Sequence, residues 1–437
     1  MRLNLIGLVI GILGSQLSFA QGEKLNADVL VKEVLKNNFG VRISEQNLQI
    51  AQSQNNVGSA GLLPTVSLNA GGNYSNNNSE LSILGQPEPI EILGAEATQL
   101  NAGLAINYTL FNGFAGKNSL KRLEFQESFA DVNKRIQIEL AIVSSLQAYY
   151  SAAGLQQSLE AAKQSLEISR NRLLRAKLKY EYGGQSRLDY LSAQVDFNND
   201  STNFLNAQLS LRQAKRQLNY LMDKEVEKID YELEKEVEFQ DLNSKEDLLK
   251  KSVSENSMIR NAKMNILIAE QDVKIVNSAY YPRVNLNAGY NYVNNENEAG
   301  VLTQQVSFGL NAGLSLSYNL FAGNQRKINS KVAQLRLQSQ VIQEEDAKSQ
   351  VSRDIENAWD QYTLRKQLKA IESSNLETAK LNFQRTSELF KLGSITNVQF
   401  RDAQLNLLRS SIRSIQANYD LKLAEIELTR ISGQILQ

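Results

Sequence analysis

The chain carries one plan twice, and this duplication restricts its fold more than any other feature. Leu110-Phe111-Asn112-Gly113 opens a long stretch without proline that reaches Tyr182-Gly183-Gly184-Gln185-Ser186-Arg187. Leu320-Phe321-Ala322-Gly323 opens a second copy, which reaches Leu392-Gly393-Ser394-Ile395-Thr396. Gly113 aligns with Gly323, Gly183 with Gly393, and Ala193-Gln194 with Ala403-Gln404, all in one register. Each copy reads as a strand end, a very long helix, a tight tip and a return helix.

The helical reading rests on spacing. Phe125, Phe129, Val132, Ile136, Leu140, Val143 and Leu146 follow one another in steps of three and four, and the stripe continues to Tyr180. A stripe sustained that far packs like a coiled coil. At 1.5 Å per residue, a helix over residues 117–182 is about 100 Å long. Its return helix runs from Ser186 to about 222, and the second copy has helices over about 325–392 and 396–431. Shorter helices are expected over 26–59 and 245–279. Laid end to end they match one long helix in length, about 105 Å, so the charged segment 223–244 falls near the midpoint. The expected organisation is therefore a first repeat over 21–222, this charged equatorial segment and a second repeat over 245–437.

Between the short and long helices the period changes from about 3.6 to 2. Val66, Leu68, Ala70 and Tyr74 alternate with Ser67, Asn69, Gly71 and Asn73. After a loop over 75–97, Leu104, Ile106, Tyr108 and Leu110 alternate with Gly103, Ala105, Asn107 and Thr109. The second copy repeats this hairpin: Tyr281-Pro282 matches Leu63-Pro64, and Asn287-Ala288-Gly289 matches Asn69-Ala70-Gly71. Phe308, Leu310, Leu314, Leu316 and Tyr318 then oppose Gly309, Asn311, Gly313, Ser315 and Ser317. One apolar face with aromatic ends and one small polar face suit a membrane barrel strand, lipid on one side and water on the other. A half-buried hairpin of a soluble domain would show the same alternation. All four prolines, Pro64, Pro87, Pro89 and Pro282, fall at strand starts or in a loop, in agreement with the plan.

Composition narrows the function. Lys and Arg total 47 and Asp and Glu total 47, so no basic field argues for nucleic acid. There is no histidine and no cysteine. That removes Ser-His-Asp and Cys-His catalysis, the usual zinc and copper ligands, and disulfides. No Gly-x4-Gly-Lys-[Ser/Thr] loop occurs. The expectation is a protein that is not an enzyme and holds no cofactor or metal. Residues 1–20 have the form of a secretory signal, with Arg2, an apolar run and Ser18-Phe19-Ala20 as a small-x-small cleavage site. The run is short of the roughly 20 residues a spanning helix needs.

Four strands cannot close a barrel, and an open edge cannot sit in lipid. The smallest membrane barrels use about eight strands. If this sheet enters a membrane, copies must combine, and twelve strands from three chains is the natural small solution. The rival reading is a periplasmic structural coiled-coil protein without a pore. It needs the helices and leaves the four alternating strands unexplained.

With these residues in view, the chain resembles the TolC-like outer membrane efflux protein family over essentially the whole stretch after the signal. The carriers are the duplication, the paired Leu-Phe-x-Gly strand ends, and the two Gly-containing tips followed by Leu188 and Ala193-Gln194, and by Val398 and Ala403-Gln404. The resemblance implies a mixed α and β membrane fold: a homotrimer with a 12-stranded transmembrane β-barrel continuous with a long α-helical periplasmic barrel. It implies an outer-membrane channel, the exit duct of a tripartite efflux or type I secretion system. The partners would be outer membrane lipid, a periplasmic adaptor (membrane fusion) protein and an inner-membrane pump. The absence of a lipidation cysteine resembles the unlipidated branch. In the family the tips dock the adaptor, which by position implies Gly183, Gly184, Gln185, Ser186, Gly393, Ser394, Ile395 and Thr396; a turn without a partner would look the same. Family members often narrow the pore mouth with two aspartates three residues apart. The corresponding positions here are Gln399 and Asp402, so one acid is kept. Asp189, Arg187 and Arg401 are the nearby candidates for links that hold the mouth shut, and a solvated surface role suits each of them equally. The cargo is not readable, since in such systems the pump selects it.

Overall fold

The computed structural model describes residues 24–436, except 83, 86, 185, 241, 243 and 299–301. The signal-like segment over 1–20 lies outside the described residues. The chain forms two units, each drawing on both repeats. One comprises the chain up to Glu45, Lys134–Ser257 and the chain from Lys348 on; the other comprises Gln46–Asn133 and Met258–Ala347.

The elements run in the order β1 (Lys24–Leu25), α1 (Ala27–Asn37), α2 (Phe39–Gln54), β2 (Thr65–Leu81), β3 (Ile90–Asn112), α3 (Ala115–Glu181) and α4 (Arg187–Leu221). Then follow β4 (Glu232–Leu233), α5 (Lys245–Glu255), α6 (Ser257–Asn277), β5 (Arg283–Asn297), β6 (Gln304–Ser317), α7 (Gln325–Lys391) and α8 (Asn397–Ile431). The two long helices are both 67 residues and the two return helices both 35.

Two expectations change. The first short helix is not continuous. Asn38 turns to φ −59°, ψ 129° between α1 and α2, and its side-chain oxygen accepts from the N–H groups of Gly40 (2.9 Å) and Val41 (3.3 Å). A side-chain acceptor thus replaces the helical partner, which is why Asn suits a break between two helices. The second repeat breaks at Asn256, with φ −63° and ψ 125°. Its amide donates to the Ile431 carbonyl at the end of α8 (2.8 Å).

The strands are also longer than the alternation alone indicated. The expected loop over 75–97 is mostly ladder, with Ser75 opposite Ala97 and Leu81 opposite Ile90. An antiparallel ladder needs only backbone groups, so Asn76-Asn77-Asn78 extends the strand although its composition reads as a loop. The final strand, by contrast, stops at Ser317.

The helical unit has its core around Leu30, Val34, Tyr149, Tyr150, Leu218 and Tyr419. Gly154 allows close approach there: a Cβ on it would stand 3.2 Å from the Tyr419 ring. The charged segment 223–244 contributes β4, which pairs in parallel with β1. Both are pinned to α3. The Tyr149 hydroxyl donates to the Leu25 carbonyl (3.0 Å), while the Gln156 amide donates to the Leu233 carbonyl (2.8 Å) and accepts from its N–H (3.0 Å). Burial keeps these phenols neutral, with Tyr150 and Tyr419 both pushed up to about 12.

Candidate functional site

The other unit holds one four-stranded antiparallel sheet of order β2-β3-β5-β6. Register aligns the two-faced strands so that each side of the sheet has one character. Leu68, Leu104, Tyr290 and Leu310 form one apolar row, and Ile106, Ala288 and Ala312 lie in the next. The opposite side carries Asn69, Gly103, Asn291 and Gly309 in one row, and Asn107, Asn287 and Gly313 in another. The apolar face is bare: Leu68 is 74% exposed, Leu310 79% and Leu316 71%. Water would penalise so large an apolar patch on a monomer, so a face like this marks a surface meant for lipid or a partner. On the polar face, asparagine side chains lie over glycines of the next strand. A Cβ on Gly103 would collide with the Asn291 amide oxygen, and Asn291 donates to the Asn311 amide oxygen (3.0 Å).

Both tips close alike. Gly183 and Gly393 each take φ 75°, a left-handed turn glycine enters without a Cβ clash. The N–H of Gly184 reaches the Lys179 carbonyl (2.7 Å), and that of Ser394 reaches the Leu389 carbonyl (2.9 Å). This is the six-to-one bond of a Schellman cap. Ser186 then caps α4 through the Asp189 N–H (3.2 Å), and Thr396 caps α8 with Gln399 in a reciprocal capping box. Gly183, Gly184, Ser186, Gly393, Ser394 and Thr396 are exposed and Ile395 is partly so; Gln185 lies outside the described residues. Around them Tyr182 is 86% exposed, Leu188 74%, Leu392 78% and Val398 68%.

The five residues expected at a pore mouth divide. Arg187 and Asp402 are exposed. Gln399 has its side chain in the capping box. Asp189 links the tips, accepting from the Asn397 amide (3.0 Å). Arg401 is turned into the protein. Its guanidinium meets both oxygens of Asp200 (2.7 and 3.0 Å) and lies 3.5 Å from Asp196. Asp196 is also paired with Arg172, and Asp200 accepts from Ser169. The Gln404 amide donates to the Ser165 carbonyl (3.0 Å) and the Ser169 hydroxyl (3.0 Å). These side chains join α3, α4 and α8 in a buried, charge-balanced network; Asp200 and Gln404 are each 1% exposed. Desolvation lowers the Arg172 pKa from its usual value, against the pull of Asp196.

Sequence reasoning missed Asn397, Asp200 and Arg172. The available signal was spacing: Ser165, Ser169 and Arg172 recur at four and three on α3, and Asp196 and Asp200 at four on α4. Each set is one polar stripe beside an apolar seam. Among the described residues no acidic cluster could hold a metal, and no helix is long and apolar enough to cross a membrane.

The outer membrane efflux protein model matches residues 30–222 and 248–434, the greater part of the chain. The chain belongs to the outer membrane efflux protein family. One relative, the outer membrane protein TolC of Vibrio cholerae, is 23% identical over 86% of this chain and 83% of its own. A second, the probable outer membrane lipoprotein SilC of Salmonella typhimurium, is 21% identical over 92% of this chain and 85% of its own. Among solved structures, the Campylobacter jejuni CmeC outer membrane channel shares the fold. It aligns with TM-score 0.77 at 14% identity, over 99% of this chain and 94% of its own. The family member described here is accordingly an outer-membrane protein of the efflux-channel type, with the mixed helix-and-sheet fold of TolC-like channels, and its relatives are channels, not enzymes.

Proposed function

We propose that the chain works as a homotrimer, the passive exit duct of a tripartite efflux or type I secretion system. Three four-stranded sheets would complete a 12-stranded barrel, apolar face to lipid and Asn/Gly/Ser face to a water-filled lumen, with the helices forming the conduit on the periplasmic side. The observation that carries this reading is the two-faced sheet whose edge strands, β2 and β6, are unpaired on their outer sides among the described residues. Edges of that kind cannot stay open in lipid. The helices support it. Of the apolar residues of α7, Ala333, Val351, Ile355 and Ala358 are buried, while Ile342, Ile371 and Leu381 stand more than half exposed. Such a helix lacks neighbours in one chain.

A periplasmic adaptor would dock at the two tips, where exposed apolar side chains surround backbone-rich turns, and an inner-membrane pump would feed it. Asp402, exposed and unclaimed by the buried network, would line the mouth as a three-fold acidic ring. Asp189, Arg187 and Asn397 would hold that mouth, and Arg401 would act from within the wall.

The test is the native mass of detergent-extracted protein from outer-membrane fractions, followed by planar-bilayer recording. Three chains per particle and discrete conductance are expected, with cation preference reduced in Asp402→Asn. A stable monomer without conductance would return the chain to the structural coiled-coil reading.

A further inference from the structure

The internal duplication fixes more than the number of strands. Leu100-Asn101-Ala102-Gly103-Leu104 of β3 recurs as Leu310-Asn311-Ala312-Gly313-Leu314 of β6. The agreement runs without insertion to Leu110-Phe111 and Leu320-Phe321. Pro64, Val66, Leu68 and Asn69-Ala70-Gly71 at the start of β2 recur as Pro282, Val284, Leu286 and Asn287-Ala288-Gly289 at the start of β5. The β3–β5 pair inside the chain is therefore the junction of the end of one repeat with the start of the next. The free edges β6 and β2 are the same two half-junctions, left open.

Two comparisons show the openness. In the made junction a Cβ on Gly103 would strike the Asn291 side chain and stand 3.0 Å from the Tyr290 carbonyl; at its counterpart Gly313 there is nothing within 4 Å. A Cβ on Gly113 would meet the Ser278 carbonyl, and Tyr281 at 2.8 Å; at Gly323 there is again nothing. Yet Gly113 and Gly323 share a left-handed turn, φ 63° and 55°, continued by Phe114 and Asn324 at 66° and 62°. The second turn has the same backbone and lacks what the first one packs on.

We infer that β6 of one copy pairs with β2 of the next copy in the register of β3 on β5, with Gly313 opposite Asn73, and Gly323 seated against Ala60 and Leu63. Transposing the observed pairs Asn101–Val293 and Asn107–Asn287 sets Asn311 opposite Ser75 and Ser317 opposite Asn69. The parity of this register joins polar face to polar face. On the apolar face it sets Leu314 opposite Gly72, Leu316 opposite Ala70 and Ala312 opposite Tyr74. Large meets small in each of these three pairs, so none of them is crowded. On the polar face the Asn73 amide would fill the space over Gly313, as Asn291 does over Gly103. A one-residue slip would bring polar side chains to lipid.

This inference rests on the ring reading above and adds to it which atoms close the ring. The chain has no cysteine, so introduced thiols report without background. Double variants Asn311→Cys/Ser75→Cys and Ser317→Cys/Asn69→Cys, oxidised in native outer membranes, should give a non-reducing ladder that ends at three chains. The slipped pairs Asn311→Cys/Asn73→Cys and Asn311→Cys/Asn77→Cys should give at least about ten-fold less, because diagonal partners lie beyond disulfide reach. Cross-linking strongest in a slipped pair overturns the register, and no inter-chain product from any pair in conducting protein overturns the interface. Bilayer recording on the same preparations judges the duct separately: a covalent ring that does not conduct removes the duct and leaves the register standing.

Discussion

Replacing Arg401 by alanine tests whether the buried network is what ties α8 to the α3–α4 hairpin. The structure sets the magnitude. Arg401 makes two hydrogen bonds to Asp200, and the two side chains are 12% and 1% exposed, so solvent screening is slight. Removing the arginine leaves a buried carboxylate with the hydroxyls of Ser165 and Ser169 and the amide of Gln404 as its remaining donors. Breaking a buried pair from one side costs about 3–5 kcal/mol, and those surviving donors place Arg401→Ala near the lower end, about 3 kcal/mol. Local opening of α8 near the tip should then become roughly 100-fold more frequent. Hydrogen exchange of peptides covering residues 397–410 in the assembled protein would read this directly. A second variant, Arg401→Met with Asp200→Leu, removes both charges and should recover most of the protection, since apolar replacement of a buried pair is often neutral. Unchanged exchange in Arg401→Ala, or faster exchange in the double variant than in the single one, would refute the argument.

Two further outcomes follow from the geometry. Burial holds Tyr150 and Tyr419 protonated, each raised from 10.0 to about 12. The folded state therefore binds protons the unfolded state has lost, and stability is complete below pH 10 and falls between about pH 10 and 12, at about 1.4 kcal/mol per unit for each group. Thermal melts across that window should flatten in Tyr150→Phe, and an equally steep fall in the variant would count against the cause given. In the sheet, Gly103→Ala forces a methyl into the Asn291 amide and toward the Tyr290 carbonyl, an overpacking cost of roughly 1–3 kcal/mol. The same change at Gly309, where nothing lies within 4 Å in one chain, should be milder. Heat-dependent mobility of the two variants on gels compares them, and equal midpoints would contradict the packing.

The sequence showed most where a period is long and unbroken. The stripe from Phe125 to Tyr180 and the alternation from Val306 to Leu316 each repeat often enough to tell helix from strand. Tip glycines were legible because a left-handed turn asks for a particular residue. The helix break at Asn38 was not, because Val34 and Val41 keep the stripe in phase across it while the Asn38 side chain supplies the missing acceptor. The buried network was hidden for a different reason. Arg401 and Asp200 lie far apart in the chain, and nothing local to either tells a paired charge from a solvated one. Position alone made Arg401 a mouth candidate; its hydrogen bonds turn it into the buried network.

The polar face of the sheet bears on what can travel along it. From Asn69 to Asn73, Gln99 to Thr109, Asn285 to Asn295 and Gln305 to Ser317, every residue on that face is an amide, a hydroxyl, an alanine, a valine or a glycine. Between those limits no fixed charge interrupts it; Arg283, opposite Ser317, stands at one end of the sheet, and the Glu80–Glu91 pair lies toward the other. Rings of carboxylates or guanidinium groups give a pore its preference for one sign of ion, and in the proposed barrel this stretch of lining would have none to offer between those two ends. Amides and hydroxyls instead trade hydrogen bonds with passing solute about as readily as water does, and release it as easily. A solute that has reached such a surface meets neither a site that retains it nor a field that turns it back.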